Sequence, residues 1–241
     1  SGSVLKDDGQ PYTVFTPYSR RWHETLEARG GLALLPSRCL LTPERLLPVP
    51  QELVSEPLQQ LSADFAGFIP SEVEANRRLE AWFEGDPAPV DNYDIERDRL
   101  DLDGTCTLSP YLRWGMVSAR RCFAKVAERC AQFTGEHPTG LDIWVTELIW
   151  REFFHDVLYH FPRVITEPFK QEYAAIEWLH LPMELDAWKH GMTGYPVVDA
   201  CMRQLLHTGW MHNRGRMIVA SFLTKDLLID WHEGEAWFMT Q

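Results

Sequence analysis

The chain has 241 residues, of which 45% are hydrophobic and 24% charged, enough apolar side chain for a sizeable core and too much for a disordered chain. No apolar run approaches the roughly 18 to 20 residues that a membrane helix needs, which excludes a helical membrane protein. The 35 acidic and 23 basic residues give a formal charge of −12, a balance that on average disfavours nucleic acid. The charge is unevenly spread, however: residues 51–104 hold 4 basic and 14 acidic side chains, whereas 105–241 hold 13 and 16. A local basic cleft in the second part is compatible with that average.

The first 50 residues mix apolar pairs with turn formers, and Leu47-Pro48-Val49-Pro50 reads as extended because each proline disfavours helix in the residue before it. Residues 1–54 are therefore expected to form a linker or wrapping arm, and 55–241 a helical domain. Two short helices are expected between Ser55 and Glu84, the second from about Ser71 to Phe83, before Gly85-Asp86-Pro87 stops it. Asp91 to Gly104 reads as an acidic loop or frayed helix. Ser109-Pro110 caps and opens a short helix over Tyr111 to Trp114, and Ser118 caps another to about Phe133. Asp142 to Phe161 carries a wide apolar stripe (Ile143, Val145, Leu148, Ile149, Phe153, Val157) of helical period. Pro196 opens a helix that Gly209 ends, and Met211 to Trp231 reads as a further one. With no alternating pattern in this half, the domain is all-α.

Five cysteines with no C-x-x-C spacing fit neither a disulfide framework nor a zinc site, and a reducing, cytoplasmic setting is expected. The 9 histidines show no H-x-x-x-H spacing, so no metal is expected. Ser1-Gly2-Ser3 lacks a starting Met and a following apolar stretch, so the chain reads as cut or tagged rather than led by a signal peptide.

Two segments carry polar groups on otherwise apolar helices. On Trp144–Phe153, Glu147, Trp150 and Arg151 share one face by their spacing; the bland alternative is an intrahelical Glu147 to Arg151 pair beside a core tryptophan. On Gly209–Ile218, Asn213, Arg216 and Met217 fall on one face, with Arg214 about 100° away. Two arginines opening a helix of Ile, Val, Ala, Phe and Leu are costly unless they meet an anion or an acid, and a phosphate-bearing partner would satisfy both.

These segments, with Gly191-Met192-Thr193-Gly194-Tyr195-Pro196-Val197-Val198-Asp199-Ala200 and Thr208 to Trp231, resemble the flavin-binding domain of the DNA photolyase and cryptochrome family. Pro11-Tyr12-Thr13-Val14-Phe15-Thr16-Pro17-Tyr18 through Trp22 looks like that family's join between antenna and helical domains. The resemblance implies a helical FAD-binding domain truncated at both ends, without its C-terminal part, behind an extended N-terminal linker. It implies a flavin-side Tyr93 and a DNA-facing Arg97. It makes Thr105-Cys106-Thr107-Leu108-Ser109 the loop that holds the FAD pyrophosphate, although Cys106 and Thr107 depart from the serine and basic residue often found there. Glu147 becomes the acid that hydrogen-bonds damaged bases, Trp150 the aromatic that packs on them, and Arg151 a DNA contact. Asn213 and Arg216 become flavin-side residues, Arg214 a phosphate contact, and Met217 a lining of the lesion pocket. Trp231 and Trp178 match the middle and outer members of an electron-transfer chain.

Within the family the pair Trp150 and Met217 favours the cyclobutane-dimer photolyases over the (6-4) enzymes, whose motif places a histidine at or near Met217. The resemblance as a whole is to a class I cyclobutane pyrimidine dimer photolyase, a carbon–carbon lyase acting on UV-damaged DNA as a monomer with FAD. The alternative is a cryptochrome-like photoreceptor without repair. An antenna chromophore is expected only in an N-terminal domain outside this sequence. The family's innermost tryptophan falls beyond Gln241, so this stretch by itself is expected to hold FAD weakly or not at all and to show no light-driven repair.

Overall fold

A computed structural model describes residues 2, 4–31 and 67–241. Among these residues the secondary structure is helical, apart from an isolated antiparallel bridge between Leu5 and Pro11. The described residues fall into two compact units, one over 2, 4–31 and 70–178 and the other over 67–69 and 179–241.

The first unit is built around one long helix. Its elements are α1 (Phe15–Ala28), α2 (Glu72–Phe83), a 3₁₀ turn (Pro89–Asn92), α3 (Tyr93–Glu96), α4 (Ser109–Arg113), α5 (Ala119–Cys130) and α6 (Thr139–His160). Helices α1, α3 and α5 and the 3₁₀ turn all pack on α6. Leu141, Trp144, Val145, Ile149 and Phe153 of α6 are buried, and together they face several neighbours, as a helix apolar on more than one side must. Close approach fixes the start of α6: a Cβ on Gly140 would lie 2.3 Å from the Val90 carbonyl oxygen.

Two buried carboxylates tie outer elements to this frame. Asp91, in the 3₁₀ turn, accepts from both Nε (3.2 Å) and Nη2 of Arg129 on α5 and from the amide of Ala88 at 2.8 Å. Asp156 of α6 accepts from the Tyr18 hydroxyl at 3.1 Å and the Gly2 amide at 2.6 Å, so α1 is anchored against α6. Burial, then the Asp156 charge, raises the Tyr18 phenol well above its ordinary value.

The second unit contains α7 (Pro182–Lys189), α8 (Pro196–Thr208), α9 (Asn213–Ser221), a π turn (Phe222–Asp226) and α10 (Trp231–Thr240). Trp188, Val198, Met202, Leu205, Val219 and Leu223 form its core, and the Trp188 indole donates to the Val219 carbonyl at 2.9 Å. Gly215 lets α9 approach α8, since a Cβ there would meet the Cys201 sulfur at 2.8 Å. Gly209 closes α8 with φ +66°, the left-handed conformation that glycine adopts without a Cβ clash.

Several boundaries differ from the sequence reading. The expected arm is helical over Phe15–Ala28, because Phe15, Tyr18 and Trp22 lay its aromatic side against the unit; Leu47–Pro50, the boundary at 54 and the helix expected after Ser55 lie outside the described residues. Helix α4 starts at Ser109 with Leu108 as its cap and no side-chain capping bond, so Pro110 is at its second position. The helix expected from Met211 to Trp231 stops at Asp226. Leu228 takes φ +52°, and Asp230 caps a separate α10 by accepting from the His232 amide at 3.0 Å.

Candidate flavin and DNA site

In the first unit the candidate residues Tyr93, Arg97, Cys106 and Glu147 come together where α3 lies along α6. Arg97 donates from Nη1 to Glu147 Oε1 at 2.5 Å, across 50 residues of sequence. Its guanidinium also stands 5.9 Å from the Tyr93 ring centroid. Burial, followed by the Glu147 charge and Cys106, raises the Tyr93 phenol above its ordinary value, so Tyr93 is a neutral, half-buried group beside Arg97. Burial likewise raises the Cys106 thiol, although the Leu108 amide and the Trp144 indole donate to its sulfur and act the other way.

The intrahelical Glu147 to Arg151 pair is not formed. Arg151 instead donates to the Leu112 carbonyl at 3.3 Å, bracing α4 against α6. The Trp150 ring is stacked on Phe15, with centroids 3.5 Å apart and planes 6° from parallel, and meets Phe154 at 5.6 Å and 23°. Phe15 went unread as a site residue: it opens α1 inside the segment taken for a linker, and only the tertiary contact identifies it.

The loop from Thr105 to Ser109 leads directly into α4, with Leu108 buried beneath it. Thr107 has φ +48°, a conformation rare for a β-branched residue, and its hydroxyl accepts from Arg78 of α2 at 2.7 Å. Arg78 lies 29 residues away, and no local sequence pattern signals its approach.

The second unit carries the other candidate residues on α9. Asn213 and Met217 are exposed and Arg214 and Arg216 half-buried. Arg216 lies over the Phe238 ring, 5.5 Å from its centroid, and burial alone lowers its pKa. It meets no carboxylate among the described residues, and Asp230 pairs with the His232 ring at 2.8 Å. Arg214 reaches Met217, with Nη1 3.7 Å from the sulfur. The two border a cavity of about 560 Å³ with Tyr195, Phe222 and Asp226, so Arg214 shares a side with Met217 rather than standing away from it. Trp178 and Trp231 are both half-buried, and Trp231 is stacked on His232 at 3.7 Å.

Among the described residues no three His, Cys, Asp or Glu side chains cluster to hold a metal, and no helix is long and apolar enough to cross a membrane.

Residues 144–241 match the family model described as the FAD binding domain of DNA photolyase. A deoxyribodipyrimidine photo-lyase of Synechococcus sp. is 37% identical over 98% of this chain and 49% of its own length. The crystal structure of a bacterial class III photolyase from Agrobacterium tumefaciens superimposes with a TM-score of 0.78 at 32% identity, over 99% of this chain and 49% of that one. A Synechocystis cryptochrome gives a TM-score of 0.66 at 32% identity, over 71% of this chain and 35% of its own. The chain thus spans about half the length of the first two proteins. Long stretches of likeness in one order, on a helical frame that superimposes over nearly its whole length, make this chain a member of the DNA photolyase and cryptochrome family that carries part of its FAD-binding domain.

Proposed function

We propose that this chain contributes the flavin and lesion site of an enzyme that repairs cyclobutane pyrimidine dimers in UV-damaged DNA under light. The observation that carries the reading is the face of α6 on which the Glu147 carboxylate, held by Arg97, stands one turn from the Trp150 ring. An acid beside a flat apolar plate fits an extruded, stacked pair of bases whose polar edges need a partner.

The chain's residues also fit FAD. A half-buried guanidinium with no acid partner among the described residues, that of Arg216, is unfavourable unless an anion joins it. Asn213, Tyr93 and the Thr105–Ser109 loop, Cys106, Thr107 and Leu108 included, offer further polar and apolar contacts. Reduced FAD, when bound, supplies the light-excited electron that splits the cyclobutane ring. Glu147 accepts from the N–H edge of the extruded bases and orients the dimer beside Trp150. Its bond to Arg97 is partly exposed, with side chains 36% and 25% accessible, and pairs of this kind contribute only about 0–1 kcal/mol, so exchange for a base is inexpensive. Phe15 braces Trp150 as the wall. Arg97, Arg151 and Arg214 contact phosphates, and Met217 lines the lesion pocket. Trp178 and Trp231 relay electrons to the flavin, the antenna chromophore binds outside these 241 residues, and the protein acts as a monomer.

The engagement of Glu147 by Arg97 also suits a second reading, a cryptochrome-like flavin photoreceptor in which no base claims the acid. Titration with FAD, followed by flavin fluorescence, tests the shared part of both readings. Arg216→Met is expected to weaken binding about tenfold or more, which is one charge-assisted contact's worth. Unchanged affinity would remove Arg216 from the cofactor site.

A further inference from the structure

Thr107 combines two features that local sequence does not reconcile. It is β-branched, and it sits at φ +48°, where a branched Cβ crowds the backbone. Residues held in such a conformation persist only when their surroundings over-determine them. The surroundings here are a chain of three side chains. Glu74 of α2, 11% exposed, accepts from Arg78 Nε at 2.8 Å and from Arg77 at 2.6 and 2.7 Å. Arg78 lies over the Tyr111 ring of α4, 5.5 Å from its centroid. The far end of the same guanidinium then donates to the Thr107 hydroxyl at 2.7 Å.

A rigid planar fork, oriented at one edge by a carboxylate and on one face by an aromatic ring, has little freedom at its other edge. It therefore fixes the position of Thr107 Oγ1, and with it the χ1 and backbone of a residue in the middle of the Thr105–Ser109 loop. On either side of Thr107 the chain is already committed: Leu108 is buried and caps α4, and Cys106 is drawn toward Trp144. The free variable left in the loop is the peptide at Thr107. The loop also borders a cavity of about 340 Å³, lined by Arg77, Arg78, Trp82, Thr105 and Cys106, so it has room to relax if released.

We propose that Arg78 is a positioning residue of the cofactor site, holding Thr107 in its left-handed conformation so that the Thr105–Ser109 loop is preset to receive the flavin pyrophosphate. The proposal rests on the flavin reading of that loop given above. Preorganisation of this kind raises affinity by removing the ordering cost from the binding step.

The test compares the protein with Arg78→Met, Thr107→Val, the pair of these together, Thr107→Gly, and Arg78→Met in the Thr107→Gly background. Amide hydrogen exchange at 105–109 is measured without flavin, and FAD affinity by titration. Arg78→Met and Thr107→Val are each expected to speed exchange in this loop about tenfold or more, with α5 and α6 unchanged, and together to do no more than either alone. In the Thr107→Gly background, where the left-handed conformation carries no steric penalty, Arg78→Met should change exchange by less than about twofold. FAD affinity should follow the same pattern. Additive effects, or an undiminished effect of Arg78→Met beside glycine, would overturn the proposal and leave Arg78 acting through charge or packing alone. If the natural full-length protein bound no FAD while the exchange pattern held, the flavin reading would fall and the clamp on Thr107 would stand as a purely structural device.

Discussion

Phe15 and Trp150 lie face to face, with ring centroids 3.5 Å apart and planes 6° from parallel. The contact joins the first turn of α1 to the candidate lesion face of α6. It fixes the plane of the indole before any base arrives, so the wall is built from two helices rather than one side chain.

Trp150→Ala should therefore weaken binding of dimer-containing DNA by about 1–3 kcal/mol, the size of one base–aromatic stack, with undamaged DNA affected far less. Competition binding with matched oligonucleotides measures both. Equal losses on the two DNAs would identify Trp150 as a core residue only.

Arg214 is half-buried beside Met217 on α9. Replacing it with alanine should lower DNA affinity and reduce the slope of log affinity against log salt by about one counterion. Flavin content should stay normal, because Arg216, over the Phe238 ring, is the flavin-side cation. A salt slope identical to that of the parent would reject a phosphate contact.

The Asp91–Arg129 pair is nearly inaccessible, with side chains 5% and 8% exposed. Arg129→Met leaves the carboxylate buried without its cation and is expected to cost about 3–5 kcal/mol in urea unfolding. Adding Asp91→Asn, which keeps an acceptor for the Ala88 amide, should restore a good part of the loss. A double variant as unstable as the two single losses summed would show that the two groups act independently.

Hydrogen bonds from Arg77 and then Arg78 lower the Glu74 carboxyl from 4.5 to about 2. A folded value below the unfolded one means that Glu74 contributes stability in full above pH 4.5, and that this is lost as pH falls toward 2. Glu74→Gln should flatten the acid limb of the stability profile within that window and leave its neutral limb parallel to the parent's. An acid limb unchanged by the substitution would place the proton uptake elsewhere.

Much of the helical frame was legible because its signals are local. Ser71 and Ser118 cap the helices that follow them, Gly209 ends α8 in the left-handed conformation, and the apolar stripe from Ile143 to Val157 marked α6. What escaped depends on contacts across long separations. Helix α1 owes its place to Phe15 on Trp150, Tyr18 on Asp156 and Trp22 on Phe123, and α7 went unread because only Trp188 of its residues is buried. The face holding Glu147, Trp150 and Arg151 could be read from helical spacing, but their partners could not. Arg97, Phe15 and Leu112 reach α6 from 50, 135 and 39 residues away, and no periodicity encodes such a distance.

The central claim is that the acid and aromatic face of α6 serves light-driven dimer splitting. The most direct measurement illuminates the natural full-length protein, loaded with reduced FAD, at blue wavelengths with an oligonucleotide bearing one cyclobutane thymine dimer, and follows the restored thymines by chromatography. The account predicts that dimers are split in the light and not in the dark, and that Glu147→Ala lowers the yield per absorbed photon. Stoichiometric reduced flavin and tight binding of the damaged oligonucleotide, with no thymines restored under light, would contradict it.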